Sequence, residues 1–178
     1  MVTVPAFVWR GGFGYRAVIL GAGAGAAFGA LAWLDSGLWQ AGACVFVIMG
    51  FAVGIAMARR MNRYWPGAGD LSGPDRVAVV RAARRGERVA DPALAPAVAD
   101  YGRGLRAAAE GAKRLRWLVP VVLVVAVATA VWDAVFGSVR DGIASAVYLT
   151  LLGLELFWWP TRQDRLLADA DRAAEPAL

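Results

Sequence analysis

At 178 residues the chain is 59 % apolar with glycine left out of the count, against roughly 45–50 % with glycine included in ordinary soluble domains, and a water-soluble domain of this length could not bury so much surface. Nineteen basic against fourteen acidic residues leave a formal charge of +5, and the charges are strongly clustered. Histidine is absent and Cys44 is the single cysteine, which removes the commonest general base, the commonest metal ligand and any intramolecular disulfide. No combination of the remaining residues makes a catalytic site, so a non-catalytic chain without a cofactor is expected.

Residues 1–16 carry Arg10 and Arg16 among Phe7, Trp9, Phe13 and Tyr15, the composition of an interfacial collar where basic groups meet phosphate and rings sit at headgroup level. The apolar run that follows is longer than the core of about 7–15 residues found in signal peptides, so no cleaved leader is expected.

Residues 17–34 and 36–58 contain no Asp, Glu, Lys or Arg. A helix of about 20 apolar residues crosses a hydrocarbon core roughly 30 Å thick, so the first span is placed at Ala17–Leu34 and the second at Leu38–Ala58. The connection Asp35–Ser36–Gly37 is short enough to force a tight antiparallel hairpin. Gly21, Gly25 and Gly29 share one helical face, and Gly50 and Gly54 repeat that spacing in the second span. Close backbone approach drives helix association in lipid, where apolar surface gains little from being covered. The expected use of these glycines is packing within the hairpin, with homo-oligomerisation as the alternative. A nucleotide-binding loop is excluded, because the glycines lie inside an apolar span with no lysine–hydroxyl pair.

The polar stretch 59–116 holds thirteen basic and six acidic residues. Ser72, Gly73, Pro74 and Asp75 form a helix start with a capping box, and that helix ends near Gly86. Asp91–Pro92 starts another, in which Leu94, Val98, Tyr101 and Leu105 recur on one face. Gly102, Gly104 and Gly111 each weaken it by roughly 1 kcal/mol relative to alanine. Arg81, Arg84, Arg85 and Arg88 form the densest basic cluster and are the candidate contact for lipid or a partner protein. A place directly beneath the membrane favours anionic headgroups, and nucleic acid is the disfavoured ligand.

Residues 117–139 contain only Asp133, and 142–161 only Glu155, among charged positions. A third span near 117–136 and a fourth near 142–159 would be joined by Gly137–Ser138 and Arg140–Asp141, with Pro160 as a stop signal. Ionisable groups inside a membrane are costly and often functional, which makes Asp133 and Glu155 the transport candidates. Antiparallel spans would set them toward opposite membrane faces. Leu166 and Leu167, in the tail, could anchor a short helix against the central segment. Trp117, Trp158 and Trp159 suit the inner aromatic belt, and Trp33, Trp39 and Trp132 the outer one.

The fold expected is therefore all-α: a polytopic membrane protein with four transmembrane helices in two antiparallel hairpins and a cytoplasmic helical insertion. Its units are the first hairpin with its leading segment (1–58), the basic segment (59–116), the second hairpin (117–160) and a tail (161–178). Arg59, Arg60 and Arg63 just after the second span, and Lys113, Arg114 and Arg116 just before the third, place both termini and residues 59–116 in the cytoplasm by the positive-inside rule. The run DRVAVVRAARRGERVADPALAPAVADYGRGL, residues 75–105, resembles a segment of small multi-pass membrane proteins of actinobacteria whose function is uncharacterised. That resemblance implies a bacterial inner (plasma) membrane and no established activity. The function expected is an integral membrane scaffold or accessory subunit, surrounded by lipid and engaging a membrane-protein partner or a second copy. The alternative is an oligomeric small transporter or channel using Glu155 and Asp133.

Overall fold

The computed structural model describes residues 4–113 and 117–174, with the side chains of Arg140, Glu155, 157–161 and Ala174 outside that description. Among the described residues the α-helices are α1 (Phe13–Ser36), α2 (Trp39–Tyr64), α3 (Gly73–Arg85), α4 (Ala95–Lys113), α5 (Leu118–Phe136) and α6 (Val139–Ala174). Short 3-10 turns at Ala6–Arg10, Pro66–Gly69 and Pro92–Leu94 lead into or join them. Helices α1, α2 and α5 are long and apolar enough to cross a membrane, so the chain is an all-α, multi-pass membrane protein. Helix α6 contributes a shorter apolar run, Asp141–Leu154.

The first hairpin is the most extensive helix pair in the molecule. Gly37 adopts φ 75° and its N–H donates to the Trp33 carbonyl at 2.9 Å, closing α1 so that α2 can begin two residues later. A Cβ added at Gly21 would stand 2.5 Å from the Gly50 carbonyl oxygen; at Gly25 the obstacle is Phe46, at 2.6 Å, and at Gly29 it is Gly42, at 2.8 Å. Gly54 is equally crowded by Ala17 and Gly21. The glycine face is thus filled by α2 along its length. Gly42, absent from the spacing argument, is its outermost member.

Both helices of this hairpin outrun the spans drawn from charge alone. Helix α1 starts at Phe13 and α2 continues to Tyr64. The extra turn and a half of α2 carries Met61, Tyr64 and Trp65 out of the apolar zone and into a second core.

That core lies outside the apolar spans. Val4, Val8 and Trp9 enter it from the N-terminal turn, Met61 and Trp65 from the end of α2, Val79, Val80 and Ala83 from α3, Val98, Tyr101 and Leu105 from α4, and Ala170 from α6. The local starts and stops follow their side chains. The Asp75 N–H donates to Ser72 Oγ at 3.3 Å to cap α3, Gly86 at φ 66° ends it, and Ala93 donates to Asp91 Oδ1 at 2.9 Å ahead of α4. Gly104 sits where the Tyr64 carbonyl presses against α4, so the residue that weakens the isolated helix lets it close on α2.

Pro160 does not stop the last helix, which runs unbroken to Ala174. An interior proline costs about 3 kcal/mol. Burial of Ala170 and partial burial of Leu166, Leu167 and Ala173 against the second core oppose that cost. The segment drawn as a separate tail is the end of α6. The start of α6 also differs: Asp141 belongs to its first turn, accepting from the Ser138 N–H at 2.7 Å and the Ser138 hydroxyl at 2.8 Å.

Two glycines of α1 make the packing testable. Gly21→Ala should destabilise the hairpin by about 1–3 kcal/mol through overpacking. Gly23→Ala, with nothing within 4 Å of its added Cβ, should be neutral or stabilise by up to about 1 kcal/mol. Unfolding in a denaturing detergent series measures both.

Candidate functional site

The extramembrane unit is organised by three rings. Trp9 lies 5.0 Å from Trp65 and 5.9 Å from Tyr101 between centroids, and Trp65 lies 5.0 Å from Tyr101, all tilted or edge-on. Each is at most 1 % exposed. Such pairs contribute about 0.5–1.5 kcal/mol each beyond area burial. Trp9 is therefore a core residue and not part of an interfacial collar. Phe7, Phe13 and Tyr15 remain exposed beside it, as does Arg10.

Arg16 leaves the collar as well. It is 2 % exposed, with its guanidinium 4.7 Å above the Trp9 ring. Its Nε donates to the Gly11 carbonyl at 3.0 Å, and one terminal nitrogen donates to Asn62 Oδ1 at 3.1 Å. A single cation thereby fastens the N-terminal turn and the start of α1 to the end of α2. A desolvated cation–π contact of this kind is worth about 2 kcal/mol.

Other arginines of the basic segment act in the same way. Arg60 donates to the Ala108 carbonyl at 3.2 Å and lies 5.6 Å from the Tyr64 ring. Arg76 reaches the Gly11 carbonyl at 3.2 Å, tying α3 to the approach of α1. Arg84 donates to the Val4 carbonyl, so it is a strut across the core. Of the cluster expected to contact lipid or a partner, Arg81, Arg85 and Arg88 are exposed and Arg84 is half-buried. The signal that separates Arg84 was available: it lies four residues after Val80 and shares its buried helical face.

The fold adds Arg172 of α6 to that cluster. A Cβ at Gly86 would stand 3.5 Å from the Arg172 guanidinium carbon and 3.3 Å from the Asp169 carbonyl. Arg172 pairs with Asp169, Arg85 approaches Glu87 at 3.8 Å, Arg103 pairs with Asp100 and Arg106 with Asp171. All involve exposed arginines, where an ion pair is worth about 0–1 kcal/mol.

Within the second hairpin, half-buried Asp133 accepts a hydrogen bond from the Ser145 hydroxyl across α5 and α6. The Glu155 side chain lies outside the described residues, as do those of Arg140, Trp158 and Trp159. Its backbone position is ten residues beyond Ser145, roughly 15 Å along α6 at 1.5 Å per residue. The two acids therefore do not form one site. Among the described residues no group of His, Cys, Asp and Glu is arranged to hold a metal ion. Cys44 is exposed on α2.

A comparison with protein-family models, with curated proteins and with solved structures finds no match to this chain.

The ring cluster yields two tests. Trp65→Ala should cost about 3–5 kcal/mol and loosen α2 from α4, seen as rapid amide exchange at the start of α4. Burial pushes the Tyr101 pKa above its ordinary 10.0, with the Arg84 guanidinium drawing it part of the way back. The folded hydroxyl keeps its proton to higher pH than the unfolded one. Its stabilising contribution is therefore intact below about pH 10 and declines as pH rises beyond that value. Thermal unfolding against pH should show this decline, and Tyr101→Phe should flatten it.

Proposed function

We propose that the protein is a four-span, non-catalytic scaffold or accessory subunit of a bacterial plasma membrane, presenting a helical unit to the cytoplasm. The observation that carries this reading is the second core. It gathers the N-terminal turn, the end of α2, α3, α4 and the end of α6 into one packed body. Connections on the other side, at Gly37–Leu38 and Gly137–Ser138, are two residues long, so nearly all the ordered extramembrane surface lies on one side.

The same connectivity supports α6 as the fourth span. Helix α5 follows α4 in the chain, and α6 brings Ala170 into the same core as α4, which favours a return across the bilayer through the apolar run of α6. Arg59 and Arg63 beside α2, with Lys113 ahead of α5, give that side its positive charge, which favours the cytoplasm. A body held by a continuous apolar core, with arginines and acids exposed on α3 and α4, suits binding.

Orientation is checked by single-cysteine variants in a Cys44→Ala background. A membrane-impermeant maleimide applied to intact cells should label Ser36→Cys and Ser138→Cys but leave Arg103→Cys unlabelled until the membrane is opened. Labelling of Arg103→Cys in intact cells would reverse the topology. Gentle extraction from native membranes should recover the protein with a stoichiometric protein partner; a bare monomer under those conditions would sink the scaffold reading.

A further inference from the structure

With α6 read as a span, the exposed face of α3 and the cap that follows it stand off from the bilayer. Helix α3 begins with Gly73 packed against the backbone of Arg10, just ahead of α1, and its rise to Arg85 is about 20 Å at 1.5 Å per residue. Helix α6 measures the depth independently. Gly86 packs on Asp169 and Arg172, and Asp169 is ten residues past Trp159, about 15 Å further along that axis. Both lengths exceed the screening length of about 8 Å at physiological salt. With α6 as a span, Arg85 and Arg172 thus flank Gly86 about 15 Å along the helix axis beyond Trp159, and Arg81 lies one turn earlier on α3.

Among these arginines, Arg85 and Arg172 make surface ion pairs, to Glu87 and Asp169. Arg16, Arg60, Arg76 and Arg84 make the carbonyl and ring contacts that hold the unit together, whereas Arg81, Arg85 and Arg88 are exposed. Topology is served by Arg59, Arg63 and Lys113, which flank the spans. Two acids, Glu87 and Asp169, are set among the four arginines and leave the patch with a surplus of positive charge.

The rest of the surface narrows the chemistry of a partner. Among the described residues, no large apolar side chain between Ile55 and Trp117 is exposed. Nothing there could anchor a hydrophobic helix. No exposed ring on α3 or α4 could stack a base, as single-stranded nucleic acid requires. A uniform polyanion would meet Glu87 and Asp169, whereas a protein segment that is mainly acidic can set a basic or neutral residue against them.

We propose that Arg81, Arg85, Arg88 and Arg172 form a docking surface for an acidic segment of a partner protein, oriented away from the membrane. This rests on the scaffold reading above and assigns it a face. Complementary charge would raise the association rate and fix the register of the partner.

The test uses the full-length protein in native membranes with a photo-crosslinking residue in place of Glu87 or, on α4, in place of Glu110. The expected adduct at Glu87 is a protein whose crosslinked peptide, mapped by mass spectrometry, is net acidic. Its yield should fall as salt is raised, and by roughly tenfold or more in an Arg81→Glu, Arg85→Glu, Arg88→Glu variant. Arg81→Gln, Arg85→Gln, Arg88→Gln should give an intermediate loss. An unchanged thermal unfolding midpoint in each variant establishes that the fold is intact. Adducts to phospholipid or RNA at Glu87, or a protein adduct indifferent to charge reversal, would overturn the proposal. A partner captured from Glu110 and not from Glu87 would overturn this face while leaving the scaffold reading standing. Absence of any protein adduct at both sites would overturn the two together.

Discussion

Trp9, Trp65 and Tyr101 come from segments that have no local reason to meet, and their contact is what gives the protein a body outside the bilayer. Each ring closes one length of chain: the N-terminal turn, the exit from α2, and α4. Arg16 lies on the Trp9 face and binds Asn62, so the rings are joined to the base of the first hairpin by a buried cation. Without this cluster, α3 and α4 would be short amphipathic helices tethered to a membrane surface, and the final turns of α6 would have nothing to pack against.

The two hairpins relate to that body differently. Helices α1 and α2 approach so closely through their glycines that carbonyl oxygens occupy the space of the missing Cβ atoms. Dispersion and backbone contact can hold such a pair in lipid, where the hydrophobic effect contributes little. Helix α5 has no fully buried residue and contacts α6 along one face, with the Asp133–Ser145 hydrogen bond as its polar tie. Its C-terminal end is joined through Gly137–Ser138 to α6, whose far end packs in the second core.

Arginine serves several physical purposes in one short chain. Planar guanidinium groups suit the buried and half-buried positions, because they can stack on a ring while donating to separate carbonyls. Arg16 does both. The same residue type on the exposed face of α3 makes only weak, exchangeable pairs, and its charge remains available to a partner. Counting basic residues treats these roles as one. Their separation depends on which side of an amphipathic helix each occupies, and on what the remaining chain brings to that side.

Much was legible from sequence because it follows from local chemistry. Uncharged runs must be buried or lie in lipid, which marks the apolar spans. Glycines four apart share a face, Ser72 and Asp91 cap the helices they precede, and Gly86 ends one. None of these needs a distant partner. The continuation of the helix through Pro160 and the burial of Trp9 differ from the local reading for the converse reason. Proline disfavours a helix locally, but the burial of Leu166, Leu167 and Ala170 against α3 and α4 opposes that preference. Trp9 and Arg16 have the composition of an interfacial collar, but a vacancy between α2, α3 and α4 takes them inward. The sequence by itself therefore determined which runs are apolar enough to cross lipid and where α3 starts and stops, since those depend on neighbours within a few residues. Tertiary structure alone decided which aromatics and arginines face inward, that α6 runs on as one helix, and that Arg172 joins the exposed arginines of α3. Those outcomes depend on packing between segments distant in sequence.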